Sequence, residues 1–235
     1  MTGTMTPLQA TLDEIDLRDS NATPSTLTAV TDLAIEIARE GREGRRIGTL
    51  FTVGAEAQVL AHSRCLILDP LAGHPIEQRQ VEEPDVRETI KELAQLDGGF
   101  IITGGGIALS ACRYFESTLP HGQHPLGLGT RHIAAASISA VTGAVAVVVS
   151  ESSIVRLFAA GALIAEILPE LWLLQRYMPH IAEANVTSDS THNLGIVSER
   201  TERPSLSARE PNRTVGGIIH PLESRRPASD TSLRP

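Results

Sequence analysis

The sequence predicts an α/β protein: a central mixed β-sheet surrounded by helices, with disordered N- and C-terminal tails. Three observations carry the prediction. Residues 144–149 (AVAVVV) form one short, wholly apolar run of the kind that fills a strand buried on both faces. Segments with apolar residues at helical spacing alternate with short β-type runs on either side of it. A glycine-rich stretch then feeds a helix of small residues, residues 127–142 reading GLGTRHIAAASISAVT.

Taken in order, residues 1–24 are rich in Thr, Ser and Asp and are expected to be disordered. Pro24-Ser25-Thr26 offers a helix start, and Leu27, Val30, Leu33, Ala34, Ile37 and Ala38 recur at helical spacing until Gly41 and Gly44 end the pattern. Residues 47–53 and 58–62 read as two strands of a hairpin around Gly54-Ala55-Glu56. Pro84 opens a second helix with Val86, Ile90, Leu93 and Ala94 as its apolar stripe, stopping at Asp97-Gly98. Residues 99–103 and 107–112 are strand-like and joined by Gly104-Gly105-Gly106. A phosphate loop would need a following Lys-Ser/Thr and a helix, so the triple glycine reads as a turn.

Residues 120–129 form a loop and residues 130–141 a helix. Residues 144–149 and 154–158 pair as strands across a turn at 150–153. Residues 163–177 are expected to be helical, kinked or broken at Pro169. Beyond residue 179 the chain turns Ser-, Thr-, Pro-, Arg- and Glu-rich, with acids and arginines in balance, and reads as a disordered tail. The expected domain therefore spans residues 25–178, between a 1–24 segment and a 179–235 tail.

Composition removes several functions. The 235 residues carry a formal net charge of −8, against the basic footprint of a general nucleic-acid binder. Cys65 and Cys112 are too few and too far apart to frame a disulfide fold, and no Cys/His cluster has zinc spacing. The acidic N-terminus lacks the basic start and apolar run of a signal peptide. The most apolar stretch, 154–174, is interrupted by Arg156, Glu166, Pro169 and Glu170, a poor membrane span. A cytoplasmic protein with no nucleic-acid or membrane partner is expected.

The chemistry-bearing residues collect around that helix start. Free N–H groups and the positive end of a helix dipole seat an anion at Gly129-Thr130. Arg131 there opposes the dipole unless an anion is near, and its fork of donors suits phosphate. His132 reads equally as a phosphate donor or as a residue orienting the loop. Asp97 by itself reads as the first half of an Asp-Gly turn. Glu151 reads as a turn carboxylate, and Ser150 as a phosphate contact or a turn cap. Together these pieces suggest a nucleotide site able to hold a metal.

The same blocks resemble the signature of the diadenylate cyclase (DAC) domain family. Leu96-Asp97-Gly98-Gly99-Phe100, then Gly129-Thr130-Arg131-His132 with Ala134-Ala135, then Val147-Val148-Val149-Ser150-Glu151 occur in the family's order over residues 33–161. The resemblance implies a DAC-like fold that condenses two ATP into cyclic di-AMP and two pyrophosphates between two facing domains, hence a homodimer or higher homo-oligomer. It implies Asp97 and Arg131 as catalytic residues. Gly98, Gly129, Thr130, Arg131, His132 and Ser150 would hold ATP, and Asp97 and Glu151 a divalent Mg²⁺, Mn²⁺ or Co²⁺.

Two positions depart from the family pattern: Gly99 stands for the usual Ala, and Ile133 for a second Arg. The lost cation motivates a second reading, a catalytically weakened or inactive sensor that binds ATP or cyclic di-AMP. Arg46, Arg64, Arg79, Arg113 or Arg156 could supply that charge from elsewhere in the fold.

Overall fold

The structure is a computed structural model and describes residues 6–117, 128–170, 179–181 and 184–199. Its centre is the apolar run, which forms strand β5 (Val145–Val149) with every residue buried. Alternate side chains go to opposite faces, as the period of two demands. Val145, Val147 and Val149 join one core with Leu27, Val30, Leu33 and Ile37 of helix α2 (Pro24–Glu40). Ala146 and Val148 join a second core with Ala135, Ala136 and Ile138 of helix α5 (Thr130–Thr142). The protein is thus layered, with a sheet between helices.

Helix α2 begins where the Thr23 hydroxyl accepts from the Thr26 amide at 3.1 Å, with Pro24 in the first helical position, and ends at Gly41 with φ +59°. Helix α4 (Pro84–Leu93) packs Ile90 against the same core. The remaining strands are β1 (Thr49–Val53), β2 (Ser63–Cys65), β3 (Gly99–Ile102), β4 (Ala108–Phe115), β6 (Val155–Ala159), β7 (Ala162–Leu168), β8 (Ala184–Asp189) and β9 (Leu194–Glu199). They form one mixed sheet in the order β2-β4-β3-β1-β5-β6-β7-β9-β8, with β1 and β3 parallel and the other neighbours antiparallel.

Four expectations differ from the structure. Residues 58–62 do not form a strand: Gly54 (φ +77°) and Ala55 (φ +47°) turn the chain out of β1 into a short helix, α3 (Glu56–Ala61), which buries only Val59. Residues 163–168 are strand, not helix, because β7 lies between β6 and β9 and buries apolar side chains on both faces, which hides its alternation. The part of that expected helix within 171–177 lies outside the described residues. The segment expected to be disordered at 1–24 contains α1 (Pro7–Asp13), capped by Thr6 and buried through Leu8 and Leu12 one turn apart. The expected tail contributes β8 and β9, with Leu194, Ile196 and Val197 buried. Residues 200–235 of that tail lie outside the described residues.

Topology fixes where the chemistry collects. Thr49 at the start of β1 pairs with Val149 at the end of β5, and β3 runs parallel to β1. Gly48, Asp97-Gly98 and Ser150-Glu151 therefore come to the same end of the sheet. Helix α5 feeds β5 through Gly143 and lies back across the sheet, so its N-terminus, Gly129-Thr130, reaches that end too.

Candidate functional site

Two cavities open at this end of the sheet, with Thr130 and Arg131 in the wall of both. The larger, about 590 Å³, is lined by Asp97, Gly98, Gly99, Arg113, Tyr114 and Ile133 among others, with Leu50, Leu66 and Phe115 giving an apolar floor. The smaller, about 410 Å³, is lined by Gly129, His132, Ser150, Glu151, Arg156 and His180. One is suited to a flat apolar body and the other to an anion.

The Asp97 carboxylate is exposed, and Oδ1 accepts the amide of Gly98 at 2.9 Å. Gly98 has φ +103°, and a Cβ there would lie 2.7 Å from the carbonyl carbon of Cys112. Cys112 is itself at φ +55°, where β4 bulges against β3. The Asp-Gly turn is thus seated on a bulge, which aims Asp97 into the larger cavity.

The neighbouring Gly99 explains its own departure from the family pattern. A Cβ at Gly99 would stand 2.7 Å from Cε2 of Phe115 and 2.5 Å from the carbonyl oxygen of Leu50. The Phe115 ring fills the place of the methyl group. Restoring the family's residue with Gly99→Ala should therefore destabilise the protein by about 1–3 kcal/mol, the usual cost of overpacking. Phe115→Leu in the same chain should recover part of it. Thermal unfolding of the parent and the two variants is the check, and a Gly99→Ala protein as stable as its parent would refute the argument.

Helix α5 starts without a side-chain cap, since Gly129 has none to offer and no Cβ there would touch anything within 4 Å. Arg131 turns from this open end toward Glu151, Nη1 to Oε1 3.2 Å, and the pair rests on Gly48, whose Cβ would come within 2.7 Å of that Nη1. Both side chains are substantially exposed, so the pair contributes little to stability and can be exchanged for a ligand.

His132 points away from solvent. It is 7 % exposed and its Nε2 lies 3.1 Å from Nη1 of Arg156. Burial, and then the Arg156 guanidinium, hold its imidazole at about 4 against an ordinary 6.5. Of the two readings of His132, the geometry is that of a residue orienting the loop. Ser150 likewise is 9 % exposed and closes its own turn, its Oγ donating to the Ile154 carbonyl (3.0 Å) and accepting the Ile154 amide (3.1 Å).

The His132 geometry has a measurable sign. Between about pH 6.5 and 4 the unfolded chain binds a proton at His132 that the folded protein refuses. Stability is level above that window and should fall as pH drops through it, by roughly 3 kcal/mol at full depth. His132→Gln should flatten that part of a pH series of urea midpoints. An unchanged slope would remove His132 from the account.

Residues of this region not singled out as site residues from sequence include Gly48, Leu50, Leu66, Phe115, Glu166 and His180. Tyr114 is 44 % exposed at the larger cavity, with the Arg64 guanidinium 4.7 Å above its ring. Of the five arginines that could replace the charge missing at Ile133, Arg113 and Arg156 line the cavities. Arg46 instead bonds Ser153 and the Ala38 carbonyl, and Arg79 bonds carbonyls of the loop before α4 and of β4. Among the described residues no three His, Cys, Asp or Glu side chains cluster to hold a metal; Asp97 and Glu151 line different cavities, on either side of Arg131. Also among the described residues, no helix is long and apolar enough to cross a membrane.

A layered α/β sheet with an uncapped helix N-terminus, a fork of guanidinium donors and an adjoining apolar cavity is the build of a nucleotide-binding domain. The chain belongs to the DAC family, described as DisA bacterial checkpoint controller nucleotide-binding, whose model matches residues 36–163. It is 44 % identical over 172 residues to a diadenylate cyclase of Methanocaldococcus jannaschii, covering 73 % of this chain and 52 % of that protein. It is 39 % identical over 157 residues to a diadenylate cyclase of Haloferax volcanii, covering 66 % and 56 %. The chain thus spans about half the length of the curated relatives it matches. Among solved structures, a double mutant of DacA from Staphylococcus aureus aligns with a TM-score of 0.40 at 23 % identity, over 59 % of this chain and 84 % of that one. A hypothetical membrane spanning protein from Bacillus cereus aligns with a TM-score of 0.40 at 22 % identity, over 58 % and 59 %.

Proposed function

We propose that the protein is a diadenylate cyclase, joining two ATP into cyclic di-AMP with release of two pyrophosphates. The observation that carries this is the meeting of the Asp97-Gly98 turn and the open start of α5 across one cavity, in a chain of the DAC family. The larger cavity would take adenine and ribose against Leu50, Phe115 and Ile133. The smaller would take the phosphates against the amides of α5, the Thr130 hydroxyl and Arg131.

In this reading Asp97, exposed and spending one oxygen on Gly98, accepts the proton of a ribose 3′-hydroxyl as that oxygen attacks the α-phosphate of the second nucleotide. Arg131 leaves Glu151 for the phosphates and meets the charge that builds on them and on departing pyrophosphate. Gly98 and Gly129 let the backbone come close, while His132 and Ser150 hold the two turns in place.

Asp97 and Glu151 fit a divalent cation of the Mg²⁺, Mn²⁺ or Co²⁺ type. Each is an exposed hard-oxygen donor, Asp97 in the wall of the larger cavity and Glu151 in that of the smaller, and such ions take one or two carboxylates with phosphate oxygens completing the shell. The cation would supply charge neutralisation at the phosphates. Each site binds one ATP, so the reaction needs two copies facing one another, and we place this homo-oligomer in the cytoplasm.

Purified protein incubated with ATP and Mn²⁺ or Mg²⁺ should yield cyclic di-AMP by mass spectrometry, with specific activity rising with protein concentration. ATP binding without product at any concentration would instead favour the sensor reading and point to Ile133. Ile133→Arg would then be the next variant to assay.

A further inference from the structure

Beneath the first turn of α5 the sheet buries a charge pair. Arg156 of β6 and Glu166 of β7 sit opposite one another in register, 4 % and 0 % exposed, with Nε to Oε1 2.7 Å. Burying an ion pair costs about as much as it returns, so the pair is a poor device for stability alone. Arg156 alternates with Val155 and Leu157 of the α2-side core, which turns it to the α5 face. There its Nη1 meets Nε2 of His132. Glu166 is held in turn by His180, whose amide donates to Oε2 (3.0 Å) and whose Nδ1 lies 3.1 Å from Oε1.

The donor inventory fixes the direction of this chain. A guanidinium only donates, so Nε2 of His132 must present its lone pair and a neutral ring carries its proton on Nδ1. That Nδ1 is buried and makes no hydrogen bond of ordinary geometry, while the His132 amide donates to the carbonyl of Gly129 at 3.0 Å. Glu166, Arg156, His132 and Gly129 thus connect the sheet to the residue preceding α5. Since Gly129 cannot cap the helix, the place of that first turn is set from below.

We propose that Arg156, braced by Glu166, is a positioning residue for the phosphate end of the site. It fixes the ring of His132, and through it the uncapped turn that bears Thr130 and Arg131. The inference rests on the nucleotide reading above and adds residues that neither the signature blocks nor the cavity's apolar half contain.

The test compares ATP with adenosine, by calorimetry on the full chain. Arg156→Met/Glu166→Leu removes both charges together, which avoids stranding one of them in the core. Its Kd for ATP should rise about tenfold, the worth of one hydrogen bond to a charged group, with adenosine affinity unchanged. Arg156→Lys, which reaches one partner but not both, should fall between. Equal loss for both ligands, or no loss for either, would overturn the proposal while leaving the nucleotide reading standing. Failure of the unaltered protein to bind ATP would overturn both. A variant that does not fold is bypassed by ¹⁵N spectra of the unaltered protein at neutral pH, assigned through His132→Gln. They should show His132 protonated on Nδ1, and a ring protonated on Nε2 would refute the chain of contacts.

Discussion

Asp97→Asn should lower cyclic di-AMP formation by about 10²–10⁴-fold and leave thermal stability unchanged. The two halves of this result have separate causes. In the folded chain the Asp97 side chain makes one hydrogen bond, to the neighbouring amide, and an asparagine oxygen can accept the same donor. The carboxylate is exposed, so its charge bears little on stability. Proton acceptance from a ribose hydroxyl depends on that charge, and so does holding a cation. The measurement is product formation against ATP concentration, with a melting curve on the same preparation. Activity retained within a few-fold would show that the carboxylate is a turn residue after all, and the cyclase chemistry would need another base.

Gly98→Ala should cost about 3 kcal/mol or more in stability and most of the activity. Two penalties coincide there. The backbone is at φ +103°, where a side chain is strained, and the added carbon would meet Cys112 and Arg113 main-chain atoms at 2.7 and 2.9 Å. Those atoms belong to a sheet strand and cannot swing aside as a flexible side chain would. Relief must come from lifting the Asp97-Gly98 turn off the β4 bulge, which displaces the carboxylate from the cavity. A shift near 1 Å is enough to cost about a hundredfold in rate. Melting temperature and activity should therefore fall together, unlike in Asp97→Asn. A Gly98→Ala protein that melts normally would mean the bulge adapts.

Much of the fold could be read in advance because the responsible signals are local. Pro24 and Gly41 bracket α2, Pro84 opens α4, and the unbroken valines of β5 leave little alternative to a buried strand. The misreadings have equally definite causes. At β7, burial on both faces erased the period of two, and a run of Leu, Ile and Ala beside Glu166 looks helical. At β8 and β9 the polar composition of an edge hairpin hid a buried partner strand, although Asn193 at φ +56° marks its turn. In the site, Asp97, Arg131 and Glu151 were recognisable by type and order. The inward turn of His132 was not, because its partner Arg156 lies 24 residues on, on another element. Nor could the exchange of a methyl group at Gly99 for the ring of Phe115 be seen before β3 and β4 were aligned.

The position of β1 bears on how the chain is made. This strand, TLFTV and buried throughout, is complete by Val53, yet its parallel partner β3 ends only at Ile102 and its antiparallel partner β5 at Val149. At about 5–20 residues per second a ribosome leaves it unpaired on both edges for several seconds. Such a segment is a template for the wrong neighbour, above all the same strand of a second nascent chain. Chains arrested on the ribosome between residues 60 and 140 should accordingly bind a holdase chaperone more than chains arrested beyond β9. Equal capture at all lengths would show that α2 already shelters the strand before the sheet exists.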